Sequence, residues 1–198
     1  MRILVDALAP KVGGGRTYIL NLLPALLEAD PGNTYHILVS KGQFPELESL
    51  NRLNVHSSKI SFLPQRLIYQ QTILPHLVKQ WKVDVLFSAT DKTTLAAPCK
   101  VVLAIHNPNP YQNLHPLTST LHWRFRTLLQ LSRLSVRKAK KVIFVSEYAK
   151  TIASNKLHCP TEKAAVIHHG VNKLYNSASL NANTNSSKYN LATKRPYI

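Results

Sequence analysis

Apolar and polar positions along this chain fall into two alternating patterns. Short aliphatic runs at residues 2–6, 35–39, 59–63, 83–87, 101–105, 141–145 and 164–168 read as strands. Most of them are separated by longer segments whose apolar residues recur every three or four positions, the spacing that gathers them on one helical face. In residues 17–29 that stripe is Tyr18, Leu22, Ala25, Leu26 and Ala29, with Thr17 as a candidate N-cap. Pro24 within it, and Pro75 within a second helix at 67–81, predict a kink or a break, because proline lacks a helical N–H. A long helix over 117–140 places Leu121, Phe125, Leu128, Ser132 and Val136 on its core face, and a short helix over 148–157 precedes the last strand. This alternation predicts an α/β fold, a doubly wound and mostly parallel sheet covered on both faces.

The chain has 198 residues and 44% hydrophobic content, enough for one ordinary core. We expect one domain over residues 1–175. Residues 176–187, rich in Asn and Ser, read as a polar linker. Arg195-Pro196-Tyr197-Ile198 then resembles the first step of a further strand, so 176–198 reads as a linker and the truncated start of a second domain. No apolar run approaches the ~20 residues needed to cross a bilayer. The apolar N-terminal run is short and interrupted by Asp6, unlike an export signal, which predicts a cytoplasmic protein or one held peripherally at the inner face of a membrane. Cys99 and Cys159 have no paired or zinc-type spacing and read as reduced packing thiols. Adjacent strand side chains point to opposite faces, so His168 and His169 are not expected to share a metal ion.

Charge changes the picture. Twenty-five Lys and Arg stand against nine Asp and Glu, for a net charge of +16, and no acidic residue occurs from Lys92 through Lys141. Such a chain attracts polyanions. Arg126, Arg133, Arg137 and Lys140 share one face of the long helix, with Lys141 and Trp123 flanking it. That stripe is either a solvated face or a contact for an anionic surface. Nucleic acid is the disfavoured partner, since no helix-turn-helix, zinc finger or RNA-reading aromatic strand is evident.

In a doubly wound sheet, ligands bind beyond the carboxyl ends of the strands. Four places qualify. The loop after the first strand carries Gly13, Gly14, Gly15 and Arg16 and opens a helix, either as a tight turn or as a cradle for a phosphate. It lacks the third glycine of a dinucleotide fingerprint and the Gly-Lys-Ser/Thr of a P-loop, which argues against a dehydrogenase. His106 and Asn107 follow the strand at 101–105; His106 is either a core histidine or a group aimed at a sugar hydroxyl or a developing charge. Ser146 follows the strand at 141–145, and Gly170 follows the last.

These pieces occur together in a familiar order. Gly13-Gly14-Gly15-Arg16-Thr17-Tyr18, Val102-Leu103-Ala104-Ile105-His106, the run from Arg137 to Lys150 with Val145-Ser146-Glu147 at its centre, and Ala165-Val166-Ile167-His168-His169-Gly170-Val171-Asn172 resemble the N-terminal domain of retaining glycosyltransferases of family 4. The resemblance covers nearly the whole chain. It implies a Rossmann-like half of a GT-B fold that holds a glycan or lipid-linked acceptor, while a C-terminal domain holds the nucleotide sugar. It further implies no metal and no cofactor beyond that donor substrate. Gly14 and Gly15 would face the donor pyrophosphate, His106 the donor sugar near the reacting centre, and Ser146 the rim of the cleft; Arg16, Asn107 and Gly170 are the accompanying substrate-binding candidates. Asn107 replaces the aspartate common after that histidine, and His169 the asparagine common before Gly170. On this reading the chain is inactive alone. The alternative is a non-catalytic basic module for nucleic acid or an anionic surface.

Overall fold

Seven strands, all parallel, form one sheet in the order β3-β2-β1-β4-β5-β6-β7. The strands are β1 (Arg2–Asp6), β2 (Thr34–Ser40), β3 (Leu53–Ser58), β4 (Val85–Ser88), β5 (Lys100–Ile105), β6 (Lys141–Phe144) and β7 (Ala164–Val166). The helices are α1 (Gly14–Ala29), α2 (Leu63–Gln80), α3 (Ser119–Lys138) and α4 (Glu147–Leu157). This computed structural model describes residues 1–9, 13–60, 62–112 and 119–170. The proposed linker and second-domain start at 176–198, and the side chain of Leu121, lie outside the described residues.

The alternation along each strand builds two cores. Val5 of β1 and Ile37 and Val39 of β2 face Ile19 and Leu23 of α1, joined by Phe44 and Leu47 from a short 3₁₀ turn after β2. Leu4 and Leu38, on the opposite face, join Leu74 and Val78 of α2, Val136 of α3, and Ala153 and Leu157 of α4. The chain thus winds from β1 out to β3 with α1 on one side, then crosses back to β4 and continues to β7 with α2, α3 and α4 on the other. The strand order reverses between β1 and β4, which opens a crevice at their carboxyl ends. Cys99 and Cys159 are free and pack at the margin of the larger core, where burial pushes both thiols up from their ordinary range.

Four local expectations are corrected. The third strand is Leu53–Ser58 rather than 59–63. Its side chains are only partly buried because it lies at the sheet edge, so it lacks the strong apolar signature of an inner strand. Thr17 does not cap α1; the helix begins earlier and Gly13 occupies the N-cap with φ 67° and ψ −151°, a conformation in practice reserved for glycine. The break expected at Pro24 and Pro75 does not occur, since each lies inside one continuous helix. Pro24 is exposed, so the carbonyl it leaves without an intrahelical partner can turn to water.

Candidate functional site

The β4 and β5 strands end beside the crevice, and their following loops shape a cleft of about 340 Å³. Thr90, Asp91 and Lys92 come from the loop after β4, and His106 and Asn107 from the end of β5. Pro110 and Tyr111 come from a 3₁₀ turn, and Phe125, Leu128 and Ser132 from α3. One wall is therefore apolar and the other polar, the composition that suits a ligand with both C–H faces and hydroxyls.

Asp91 ties these elements together. Its Oδ2 accepts from Lys92 Nζ at 2.6 Å, from Ser132 Oγ at 2.8 Å and from the Tyr111 hydroxyl. Burial pushes the Asp91 carboxyl up, but the Lys92 charge and the three hydrogen bonds outweigh it and hold the group below its ordinary value. Tyr111 is pushed well above the ordinary phenol range by burial and by the Asp91 charge, so it stays a donor. These three bonds all fall on Oδ2, and the side chain remains 23% exposed in the cleft wall. Oδ1 is thus the oxygen left for a hydroxyl entering the cleft.

The loop bearing Asp91 is knitted to its neighbours. Ser88 Oγ donates to Thr93 Oγ1 at 2.9 Å, Thr93 N–H to Ser135 Oγ at 3.1 Å, and Gln71 Nε2 to the Thr93 carbonyl at 3.0 Å. Nearer β1, the buried Asp6 accepts from Gln70 Nε2 at 2.6 Å and from the Leu8 N–H at 3.3 Å, while burial raises its carboxyl above the usual range. Arg66, in the first turn of α2, is lowered by burial, with the charges of Asp6 and Asp91 acting in the opposite sense.

Of the residues singled out from sequence, the cleft brings together His106 and Asn107. The His106 ring meets Tyr18 of α1 edge-on, centroids 4.4 Å apart, so the helix opened by the glycine loop also positions the histidine. Gly14 leaves open space where a Cβ would stand. Arg16 pairs with Glu46 at 2.6 Å and lies over the Phe44 ring. Ser146 caps α4, its Oγ accepting from the Ala149 N–H at 3.1 Å. Gly170 is exposed. On α3, Arg126 and Arg137 are exposed; Lys140, also exposed, lies beyond the helix end at Lys138 rather than on it, and Arg133 is half-buried, its Nε donating to the Lys156 carbonyl near the end of α4 at 2.8 Å. Asp91, Lys92 and Tyr111 were not anticipated. The available signal was Ser132, a hydroxyl set in an otherwise apolar helix stripe, which demands a buried partner.

A family model described as Glycosyltransferase Family 4 matches residues 12–173, most of the chain. The chain belongs to glycosyltransferase family 4. Among solved structures, HepE of Anabaena, crystallised with UDP and glucose, superposes with a TM-score of 0.59 at 20% identity, over 94% of this chain and 50% of that one. A glycosyltransferase from Rickettsia africae gives 0.52 at 17%, over 96% and 50%. A ugt transferase from Siraitia grosvenorii, in complex with UDP, gives 0.52 at 10%, over 90% and 54%. What is shared at such identities is the fold, and this chain spans about half the length of each. No curated protein matches it. The family 4 domain is accordingly the Rossmann-like, N-terminal half of a GT-B fold, as the sequence motifs implied.

Asp91 provides a test of the cleft's construction. Its folded value lies below the unfolded one, so it contributes stability above the unfolded pKa that is lost as pH falls through the folded value. Asp91→Asn should lower unfolding free energy at pH 7 by on the order of 2 kcal/mol, the range for hydrogen bonds to a charged group. Denaturant titrations should show wild type and variant converging as the pH drops below the range in which Asp91 ionises. Equal stability at pH 7 would show that the carboxylate does not organise the cleft.

Proposed function

We propose that this family 4 domain is the acceptor-binding half of a retaining glycosyltransferase that moves a sugar from a nucleotide sugar to a glycan or lipid-linked acceptor. The observation that carries the reading is the cleft beside the strand-order reversal, with His106 and the Asp91–Tyr111–Ser132 cluster in its walls. In the transfer, the anomeric carbon loses its bond to the nucleoside diphosphate oxygen and gains one to the acceptor oxygen. The acceptor's proton and the cleaved bond's electron pair leave with the nucleoside diphosphate. Asp91 Oδ1 would accept from an acceptor hydroxyl, and Phe125 and Leu128 would cover the C–H faces of the ring. His106, held by Tyr18, would hydrogen-bond the donor sugar where charge develops. The space at Gly14 would admit the donor pyrophosphate close to backbone N–H groups at the start of α1. For Arg16 to reach the same phosphates, its pair with Glu46 must open.

Donor binding requires a second domain on this reading, so the chain alone is expected to show no transfer. A complementing C-terminal domain and a panel of nucleotide sugars should restore turnover. His106→Ala should then cut turnover by about two orders of magnitude with the fold intact by circular dichroism. Transfer by the isolated chain would refute the two-domain requirement, and an unaffected His106→Ala enzyme would leave the histidine a packing residue.

A lipid-linked acceptor must be met at a bilayer. Among the described residues no helix is long and apolar enough to cross one. We propose peripheral attachment through α3. Because α3 runs back against the strands, its N-terminal half lies at the cleft edge, and it exposes Arg124, Arg126 and Trp123, the last to 71%. Arg137 on the helix and Lys140 just beyond its end add further positive charge, each basic group near an anionic leaflet being worth about 1 kcal/mol. Arg133 takes less part, given its bond to α4. Sedimentation should show binding to vesicles with anionic lipid, loss of it in high salt, and weakening by Arg124→Glu with Arg126→Glu. Indifference to lipid charge would leave the stripe a solvated face, and preferential binding of duplex DNA would favour a nucleic-acid module.

A further inference from the structure

A second cavity, of about 400 Å³, lies against α4. It is lined by Tyr111 and Gln112 from the 3₁₀ segment and by Tyr148, Thr151, Asn155 and Lys156 from α4, with Ile152 beneath. Tyr111 lines both this cavity and the first, so the two share a wall. Nothing in the transfer chemistry described above uses the second one.

Its chemistry is that of a carbohydrate subsite. A pyranose offers an apolar face of C–H groups and a rim of hydroxyls, so a site for one needs an aromatic surface with amides and hydroxyls at its edge. Tyr148 supplies the surface, with 60% of the residue exposed. That exposure is not floppiness: its hydroxyl accepts from Gln112 Nε2 at 2.9 Å, which ties the ring to the segment bearing Tyr111. At the edge, Thr151 already donates to the Glu147 carbonyl and keeps its lone pairs for a ligand. Asn155 lies exposed a further turn along, on the same face of α4 as Tyr148 and Thr151 at spacings of three and four. Lys156 adds a donor beside them. The Arg133 bond to the Lys156 carbonyl anchors this end of α4 to α3, whose side chains line the first cleft. The two cavities are thus held by the same elements.

We infer that the α4 cavity is a distal sugar subsite and that the acceptor is an oligosaccharide of at least two residues, its reacting sugar in the first cleft and its next sugar on Tyr148. This rests on the acceptor reading of the first cleft and adds to it a requirement for length. It assigns specificity to Tyr148, Gln112 and Asn155, residues that do not line the first cleft.

The test uses the whole chain and does not depend on transfer. Isothermal titration or saturation-transfer NMR would compare methyl glycosides of glucose, galactose and N-acetylglucosamine with disaccharides carrying the same sugars at the non-reducing end. Wild type should bind its preferred disaccharide about tenfold more tightly than the corresponding monosaccharide. Tyr148→Ala, which the exposed position should tolerate, should abolish that difference and leave monosaccharide binding unchanged. Tyr148→Phe, keeping the ring and losing the Gln112 bond, should retain part of it, and Asn155→Ala should reduce it independently. Equal binding of mono- and disaccharides, or a difference that survives in Tyr148→Ala, overturns the inference while the first cleft stands. Binding of no saccharide to wild type overturns the acceptor reading itself, and the inference falls with it.

Discussion

The cleft depends on one largely buried carboxylate. Moving an ion away from water costs several kcal/mol unless opposite charge and hydrogen bonds replace the lost hydration. Asp91 is compensated by groups from three separate parts of the chain: its neighbour Lys92, Tyr111 on the 3₁₀ turn, and Ser132 on α3. Removing any one leaves a partly solvated charge with fewer donors, so the energy that holds Asp91 ionised also holds the loop, the turn and the helix in register. The cleft's size and its mixed walls follow from that register.

The sheet places this node at a crevice. Strand order reverses between β1 and β4, and the loops that follow must part there. The crevice is flanked on one side by the glycine-opened α1 and on the other by the Asp91 loop. His106, carried on β5 and packed against Tyr18 from α1, stands between them. On the proposed reading, the glycine turn after β1 would face the donor and the polar wall after β4 would face the acceptor. Rigid strands fix the distance between the two, as positioning catalysis requires.

The sheet was legible in the sequence because inner parallel strands are buried on both faces and appear as uninterrupted aliphatic runs, as at Val101 to Ile105. The edge strand β3 was not, because only Leu53 and Val55 pack against the core while Asn54, His56 and Ser57 dilute the apolar pattern. Pro24 and Pro75 suggested breaks because proline's cost is local and visible, whereas the tertiary packing of Leu23, Leu27, Leu74 and Val78 that outweighs it is not. His106 and Asn107 could be located from the rule for strand ends alone. The Asp91 cluster could not: it joins residues 41 positions apart, and sequence periodicity carries no information about which loop meets which helix. Only Ser132 hinted at it, as a polar residue on an apolar stripe. The basic face of α3 illustrates the reverse case. Four charges looked equivalent by spacing, yet Lys140 falls beyond the end of α3, and the packing of α4 takes Arg133 into a hydrogen bond with Lys156 while Arg126 and Arg137 stay exposed.

The central claim is that sugar enters the cleft organised by Asp91. Amide chemical-shift mapping of the isotope-labelled chain during titration with acceptor-type saccharides tests it most directly, because each wall of the cleft reports separately. The account predicts concerted shifts at Thr90, Asp91 and Lys92, at His106 and Asn107, and at Tyr111, and their disappearance in Asp91→Asn. Shifts confined to the exposed face of α3, or none at saccharide concentrations that saturate binding, would contradict it.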